Sequence, residues 1–453
     1  MSENITVHLA FEKAGVQQAA ICSRRCLMIN TNDKYVKEHL LDGNFGLEKE
    51  SIRILSDGSF SHTPHPFPDD KNIVKDFCES QTEINTGVHD SVKGAVDELY
   101  YHTVRINKKL KSLPEREYLW LFSNPPYIRN EDDIDIAVFE GSQSSKARYR
   151  EYLADKYGRY RMTFSGIHVN FSFSDSLLEA SFESQDEFKT FREYKDMLYL
   201  DLAQRLASYS WLLVSVTAAS PVLDSSFFEK GVYDKDVYTG MASVRCSEMG
   251  YWNDFAPIFN YSDLDAYTKS IQTYVDRGFL KAPSELYYPV RLKPPGENNL
   301  ERLRSEGVNH IELRMFDLNP LTRAGVDERD IAFAHLMIVW LASTPKEGLP
   351  DRDQVHAVQN FKNSAHFDLK TVKIITHDGE TFSMVDAAQN VIGFMRDFYG
   401  KLKIDVSDIL DFENDKFINA DNRYAWKIRK EFGGGFAKKA LKLAKERQDE
   451  QLK

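Results

Sequence analysis

The sequence predicts an α+β fold built on a mainly antiparallel sheet. Four separated stretches alternate apolar with charged residues, as half-buried β-strands do. Helical patterns lie among them without regular strand–helix–strand alternation, which disfavours a parallel sheet. No linker rich in Pro, Gly or Ser divides the 453 residues. We therefore expect a single catalytic domain over residues 1–453, with the four stretches in one sheet.

The first two stretches carry carboxylates. Because side chains on a strand alternate with period two, Glu48 and Glu50 point to the same face of the first stretch. The second stretch begins at Asp76 and ends at Glu83, seven positions later. These two acids would face opposite sides of a regular strand, so a bulge or bend must intervene if both join one site.

The third stretch contains His168, and the fourth places His310, Glu312 and Arg314 on one face. One sheet could therefore gather carboxylate oxygens and an imidazole nitrogen on a single surface, which suits magnesium and phosphate. Alone, each motif also fits a solvated strand or a structural histidine. The repeated choice of carboxylates favours a site, because clustered acids raise one another's pKa values and need more cations than Arg314 supplies.

Helices are predicted between the strands. Residues 90–113 have apolar positions at helical spacing, with Asp90 as a candidate N-cap and Pro114 just past the end. The most apolar stretch, Ser210 to Val222, is interrupted by polar residues and falls short of the roughly 18 to 20 residues of a membrane span. It predicts a buried helix. Further helical patterns cover residues 144–156, 187–218, 327–342, 384–399 and 435–448.

Composition excludes several classes of protein. The net charge of −11 and a pI near 5.6, with no basic stripe, argue against a nucleic-acid partner. Four cysteines are too few for a disulfide framework, although Cys22 and Cys26 could pair or share a metal. The N-terminus has no secretion signal pattern, so we expect a cytoplasmic enzyme without a membrane partner.

Two weaker motifs have ordinary interpretations. The glycines at 433–435 precede a basic helix and could cradle phosphate, but no P-loop pattern accompanies them, and we interpret them as a loop. His62 and His65 are close in sequence, yet Pro64 between them and Pro66 after them scatter their directions. The sequence contains no motif of serine hydrolases, zincins or Rossmann enzymes.

Five ordered blocks resemble the glutamate-cysteine ligases (γ-glutamylcysteine synthetases) of the bacterial type, in particular the N-terminal ligase part of bifunctional glutathione synthetases. The resemblance covers residues 44–444 or so and implies a glutamine-synthetase-like curved antiparallel sheet that forms a funnel, with helices packed outside. The blocks are residues 45–53, 165–171, 219–222, 243–251 and 311–320.

The resemblance also implies an activity. ATP would phosphorylate the γ-carboxylate of glutamate, and the amino group of L-cysteine would displace phosphate to give γ-glutamylcysteine, the first step of glutathione biosynthesis. Mg²⁺, or Mn²⁺ in its place, would be the cofactor, and ATP the co-substrate. Because the sequence leaves no room for a C-terminal ATP-grasp domain, we expect a separate glutathione synthetase to act on the product.

Site residues follow from the same resemblance. Arg314 matches the arginine at the transferred phosphate. Phe139 stands in the amine pocket where relatives often place a polar residue, which would loosen the preference for cysteine. The implied metal ligands are Glu48, Glu50, Asp76, Glu83, His168 and Glu312. The implied substrate-binding residues are Phe77, Phe139, Arg245, Tyr251 and Tyr287, with Arg245 suited to a carboxylate through its planar fork.

Three alternatives remain open from the sequence. A γ-glutamyl ligase that uses another amino acid or amine would share the chemistry. A two-metal hydrolase would also use clustered carboxylates and a histidine, but it would turn over without ATP. A non-catalytic binding protein could retain the sheet alone.

Overall fold

A computed structural model describes residues 29–139, 144–250, 252–345, 351–376 and 379–453. Cys22 and Cys26 lie outside these ranges. The strands are β1 (Gly43–Ile54), β2 (Ile73–Lys75), β3 (Gln81–Asn85), β4 (Tyr118–Leu119), β5 (Gly166–Phe173), β6 (Leu223–Asp224), β7 (Asp236–Val237), β8 (Val290–Lys293), β9 (His310–Asp317), β10 (Lys373–Ile375) and β11 (Thr381–Ser383).

The helices surround these strands in the chain. They are α1 (Lys34–Glu38), α2 (Val92–Lys111), α3 (Ser144–Tyr157), α4 (Asp175–Glu183), α5 (Phe191–Thr217), α6 (Leu264–Asp276), α7 (Leu300–Glu306), α8 (Glu328–Ala342), α9 (Asp351–Ser364), α10 (Met384–Leu402), α11 (Ser407–Ile418), α12 (Tyr424–Phe432) and α13 (Phe436–Gln451). Among the described helices, none has the length and apolar character that crossing a bilayer requires.

The central feature is a seven-stranded sheet with the strand order β2-β3-β1-β5-β9-β8, in which β4 also pairs with β1. Its pairings between strands are antiparallel. All four charged stretches lie in this sheet, as predicted. The small pairs β6–β7 and β10–β11 form separate two-stranded sheets.

The stretch from Asp76 to Glu83 is not one strand, contrary to the sequence interpretation. Asp76 follows the end of β2, a turn covers residues 77–80, and Glu83 lies in the middle of β3. The two strands pair antiparallel, with Val74 opposite Glu83. This hairpin supplies the bend that the seven-residue separation requires.

Helices cover the apolar face of the sheet. The 27-residue helix α5 is buried over most of its length and packs against β9 and α8, while α2 packs against β1. An antiparallel sheet needs such cover on one face only, so the opposite face is free to carry polar groups.

Two predicted helix boundaries need correction. The N-cap of α2 is Ser91 rather than Asp90, because Ser91 has extended backbone angles that bring its hydroxyl within 3.3 Å of the Gly94 amide. The buried helix α5 ends at Thr217 and does not reach Val222. Pro221 lies just beyond this end and has no N–H to continue a helix.

The glycine turn at residues 433–435 is a loop, as interpreted from the sequence, and its amides already bind a carboxylate. Gly434, Gly435 and Phe436 donate their backbone N–H groups to Asp236 at 2.5, 3.2 and 2.8 Å. Asp236 thereby occupies the N-terminus of α13, where a negative charge is favoured by the helix dipole.

A fully buried ion pair ties β1 to the segment before β4. Arg53 and Glu117 have no exposed side-chain surface, and Arg53 Nη1 lies 2.7 Å from Glu117 Oε2. Ser61 Oγ donates to Glu117 Oε1 at 2.7 Å, and Arg53 Nη2 donates to the Thr63 and Glu79 carbonyls at 2.7 and 2.9 Å. Further hydrogen bonds therefore enclose the pair and reach both nitrogens at the end of the Arg53 guanidinium and both oxygens of Glu117.

We predict that Arg53→Met destabilises the protein by about 3–5 kcal/mol, because it leaves Glu117 buried and unpaired. The control is Arg396→Met, which removes an exposed ion pair with Asp411 and should cost less than about 1 kcal/mol. Urea unfolding followed by circular dichroism measures both. Equal effects of the two substitutions would contradict the role assigned to the buried pair.

Candidate active site

The register of the central strands brings the predicted acids and histidine to one face. Glu48 lies opposite His168 across β1 and β5, and Glu50 lies opposite Glu83 across β1 and β3. Glu312 pairs with Asn170, two positions after the histidine. Side chains directly opposite one another in an antiparallel pair have Cβ atoms about 4.5–5.5 Å apart. The face therefore holds a continuous group of carboxylates around the imidazole of His168.

The centre of this face is the cluster of Glu48, His168 and Glu312, whose potential ligand atoms lie within 4.8 Å of one another. His168 Nδ1 is 2.9 Å from Glu48 Oε2 and 3.4 Å from Glu312 Oε1. His168 Nε2 is buried without a hydrogen-bond partner among the described residues, and Glu50 Oε1 lies 4.0 Å away. Converging oxygens with an unpartnered nitrogen fit a divalent cation.

A β-bulge lies beside this cluster. The register between β5 and β9 shifts between Ile167 and Val169, so His168 faces two residues of β9, Arg314 and Met315. Bulges bend a strand locally and re-aim its side chains, and they recur next to active sites. Here the guanidinium of Arg314 reaches back along β9, and its Nη1 lies 2.8 Å from Glu312 Oε1.

Glu312 is held between two cations. Arg314 contacts one carboxylate oxygen, and Lys293 Nζ lies 3.1 Å from the other. Burial alone would raise the pKa of Glu312, but the charges of Arg314, Lys293 and Arg291 hold it well below its usual range. Glu312 is therefore ionised at neutral pH, and its charge is balanced within the protein.

Glu50 and Glu83 are in the opposite situation. Burial and the charge of Asp76 raise the pKa of Glu50 to about 8. Burial, Asp76, Glu48 and Glu50 together raise the pKa of Glu83 well above its usual range. Gly166 N donates to Glu50 Oε2 at 2.9 Å, which does not offset this crowding. Glu50 and Glu83 thus have too little positive charge near them to ionise readily.

The remaining groups of the central cluster carry their expected charges. Burial and Glu312 act to raise the pKa of Glu48, but the hydrogen bond from His168 and the charge of Lys293 oppose them, and the pKa is lowered. Burial and the charge of Arg314 lower the pKa of His168, so its imidazole is neutral and able to act as a ligand.

Several polar neighbours were missed by sequence reasoning. Asn170 Nδ2 donates to Glu48 Oε1 at 3.0 Å and orients it. Arg150 Nε donates to the carbonyl of Asp76 at 2.6 Å, and its Nη2 lies 3.8 Å from the Asp76 carboxylate. Lys293 ends the short strand β8. The alternation of apolar and basic residues in its sequence, Val-Arg-Leu-Lys, is the signal from which the polar position of Lys293 could have been predicted. Asn170 sits on the same strand face as His168, so period-two alternation could have found it.

Arg245, predicted to bind a substrate carboxylate, lies against the same strands. It donates to the carbonyl of Arg314 at 3.0 Å and to that of Phe316 at 3.4 Å. A Cβ on Gly166 would lie 2.2 Å from the guanidinium carbon of Arg245, so only glycine permits this approach. The arginine is therefore braced on β9 next to the acid cluster.

The aromatic residues predicted to bind substrate are more dispersed. Phe77 is buried in an apolar cluster with residues such as Ile52. Tyr287 is half-buried and packs edge-on against Tyr157, with ring centroids 5.5 Å apart. The guanidinium of Arg150 stacks on Phe139, 4.5 Å from its ring centroid. Tyr251 lies outside the described residues.

A cavity of about 500 Å³ lies apart from these residues. It is lined by residues at the start of β1 and α2 and by parts of α8 and α11, including Phe45, Val92, His335 and Asp408. None of the predicted site residues borders it. The polar face of the sheet, rather than this cavity, is the candidate active site because the titratable groups converge there.

Comparison with curated proteins identifies relatives over most of the chain. It is 33% identical over 417 residues to the glutathione biosynthesis bifunctional protein GshAB of Listeria monocytogenes serotype 4b, covering 88% of this chain and 53% of that protein. It is 31% identical over 415 residues to GshAB of Clostridium perfringens, covering 87% and 51%. The chain thus spans about half the length of the curated relatives it matches.

Solved structures share the fold. A bifunctional glutathione synthetase from Pasteurella multocida superposes with a TM-score of 0.81 at 24% identity, covering 94% of this chain and 55% of that one. A glutamate-cysteine ligase from Francisella tularensis, in complex with AMP, gives 0.80 at 22% identity, covering 90% and 89%. These likenesses support the mixed helix and antiparallel-sheet fold expected from the sequence.

The family comparison is decisive for classification. The family model for glutamate-cysteine ligase matches residues 28–279 and 275–364, which together include β1, β5, β9 and every predicted site residue. The chain belongs to the glutamate-cysteine ligase family.

Proposed function

We propose that this protein joins the γ-carboxylate of glutamate to the amino group of L-cysteine, using ATP and forming γ-glutamyl phosphate as the intermediate. The observation that carries the proposal is the convergence of Glu48, His168 and Glu312 beside Arg314 on one sheet face. Family membership supports the reaction class, and the name of the GshAB relatives supports a role in glutathione biosynthesis. A glutathione synthetase activity would then use the product.

Two groups of ligands are proposed for divalent cations, Mg²⁺ or Mn²⁺ in its place. Glu48, His168 and Glu312 would hold one cation. Glu50, Asp76 and Glu83 would contribute to binding another, because they are crowded and short of positive charge. When bound, the cations offset the negative charge of the ATP phosphates and of the phosphoryl group in transfer.

The protein's own residues contribute positioning and charge. The γ-carboxylate of glutamate attacks the γ-phosphorus of ATP, and ADP leaves. The cysteine nitrogen then attacks the acyl carbon, phosphate leaves, and the nitrogen loses a proton. Arg314 would contact the transferred phosphoryl oxygens, since its fork is already oriented by Glu312 at 2.8 Å.

The amine would bind beside Arg245. The planar guanidinium suits the cysteine carboxylate, and Phe77, Phe139, Tyr251 and Tyr287 are proposed to complete the pocket. A ligase that accepts another amine remains the second candidate, because Phe139 brings no hydroxyl or amide to the pocket. Phosphate release measured across a panel of amines and amino acids, with and without ATP, separates both ligases from a metal-dependent hydrolase.

We expect Glu50→Ala and Glu312→Ala each to reduce ADP release with glutamate and cysteine by at least about 100-fold, as loss of groups that stabilise transition-state charge does. The control is Glu306→Ala, which removes an exposed acid paired with Arg302. Circular dichroism and thermal melting establish that each variant is folded. Full activity in a folded Glu50→Ala or Glu312→Ala protein would contradict the assignment.

The raised pKa of Glu50 predicts a pH-dependent effect of magnesium on stability. Its folded pKa of about 8 lies above the usual 4.5, so its stabilising contribution is present at low pH and is lost as pH rises through about 8. Mg²⁺ binds the ionised carboxylate and removes this penalty. The increase in Tm caused by Mg²⁺ should therefore be larger at about pH 8 than at about pH 6.

Calorimetry with and without Mg²⁺ measures these increments. In Glu50→Gln, which has no proton to lose at this position, the difference between the two pH values should shrink. If Mg²⁺ raises the Tm of the unsubstituted protein equally at both pH values, the proposed cation site is contradicted.

Gly166→Ala should disturb the amine pocket specifically. The added methyl group would lie 2.2 Å from the Arg245 guanidinium and would displace it. We expect the KM for cysteine to rise about tenfold while the KM for ATP changes little. Gly400→Ala is the matched control, because nothing lies within 4 Å of its new methyl group. An unchanged KM for cysteine would separate Arg245 from amine binding.

A further inference from the structure

Lys293 is a basic residue of the sheet face that has no role in the proposal above. It ends β8, the last strand of the sheet path, and lies opposite His310. Val290 and Leu292 of the same strand are buried in the apolar core, so alternation places Lys293 on the polar side. Only 13% of its side chain is exposed.

The charges around Lys293 are balanced in the absence of a cation. Its Nζ lies 3.1 Å from Glu312 Oε2, while Arg314 contacts the other oxygen of the same carboxylate. The charge of Lys293 also helps to lower the pKa of Glu48, together with the hydrogen bond from His168. The charges of Glu48 and Glu312 are therefore offset by Arg314, Lys293 and Arg291, which lies opposite Glu312 in the sheet.

A divalent cation at this cluster would change the balance. A carboxylate that binds the ion has less charge to offer an ammonium group, and the ion adds two positive charges beside Lys293. Under the proposed function, Arg314 would contact the transferred phosphoryl group while Glu312 orients its fork. Lys293 then requires a new anionic partner, and the polyphosphate of a nucleotide is the substrate group with sufficient negative charge.

Resting on the proposed function, we propose that Lys293 is a phosphate-binding residue for ATP. Its ammonium group forms an ion pair with Glu312 in the free protein and donates to a β-phosphate oxygen in the nucleotide complex. A lysine suits this exchange, because its charge is a compact point on a flexible four-carbon stem with rotatable donors.

The alternative is a purely structural role, in which Lys293 only orients and neutralises Glu312. The two roles differ in what they predict for nucleotide binding. A phosphate contact affects nucleotides according to their phosphate number, whereas a disturbed Glu312 affects the metal and all nucleotides alike.

The test is equilibrium binding to the full chain with Mg²⁺ and without amino-acid substrates, measured by isothermal titration calorimetry with ADP and AMP. In Lys293→Met we expect the Kd for ADP to rise at least about tenfold and the Kd for AMP to change less than about twofold. Lys293→Arg should restore ADP binding to within about threefold of the unsubstituted protein. Equal losses for ADP and AMP, or no loss for ADP, would overturn the proposal.

Two further variants keep the result interpretable. Lys195→Met removes another partly buried lysine, which contacts Asp175 at 2.7 Å, and should leave both affinities unchanged. Lys293→Gln keeps a donor toward Glu312 and serves if Lys293→Met does not fold, with the same selective loss of ADP expected. Binding requires no turnover, so ADP-selective loss without any ligase activity would refute the proposed function alone. Ligase activity without ADP-selective loss would refute only the role of Lys293.

Discussion

The structure depends on one electrostatic constraint, the placement of five carboxylates on one face of a sheet. The protein neutralises them unevenly. Glu312 has Arg314 and Lys293 at 2.8 and 3.1 Å, and its pKa falls well below the usual range through their charges. Glu50 and Glu83 are buried beside Asp76 and other acids, and their pKa values rise. The face thus combines an ionised carboxylate paired with basic side chains and a group of buried carboxylates that are harder to ionise than usual.

The rest of the fold holds these groups in register. Helices α2, α5 and α8 cover the apolar side, which allows the other side to remain polar. The enclosed pair Arg53–Glu117 fixes the end of β1 beyond Glu50. The bulge between β5 and β9 aligns His168 with two residues of β9, so that the imidazole and the Arg314–Glu312 pair meet. Gly166 leaves room for Arg245 at the same junction.

Period-two alternation predicted the strands and the polar face well, because each charged stretch is long enough to show its pattern. It failed at residues 76–83, where alternation across a turn imitates a single strand. It also overlooked Lys293, since a four-residue strand such as β8 carries little periodic signal and the sequence does not state which strand it pairs with. Arg150 reaches the site from helix α3, and such contacts depend on tertiary packing that no local pattern encodes.

The carboxylate of Asp236 accepts hydrogen bonds from the backbone amides of residues 434–436. This contact affects whether free phosphate can bind at the turn. A glycine-rich turn at a helix N-terminus is an attractive receptor for inorganic anions. With an internal occupant already bonded there, a released phosphate would have to compete against a tethered group at high effective concentration. Asp236 thereby keeps this turn from binding the phosphate that the proposed reaction releases.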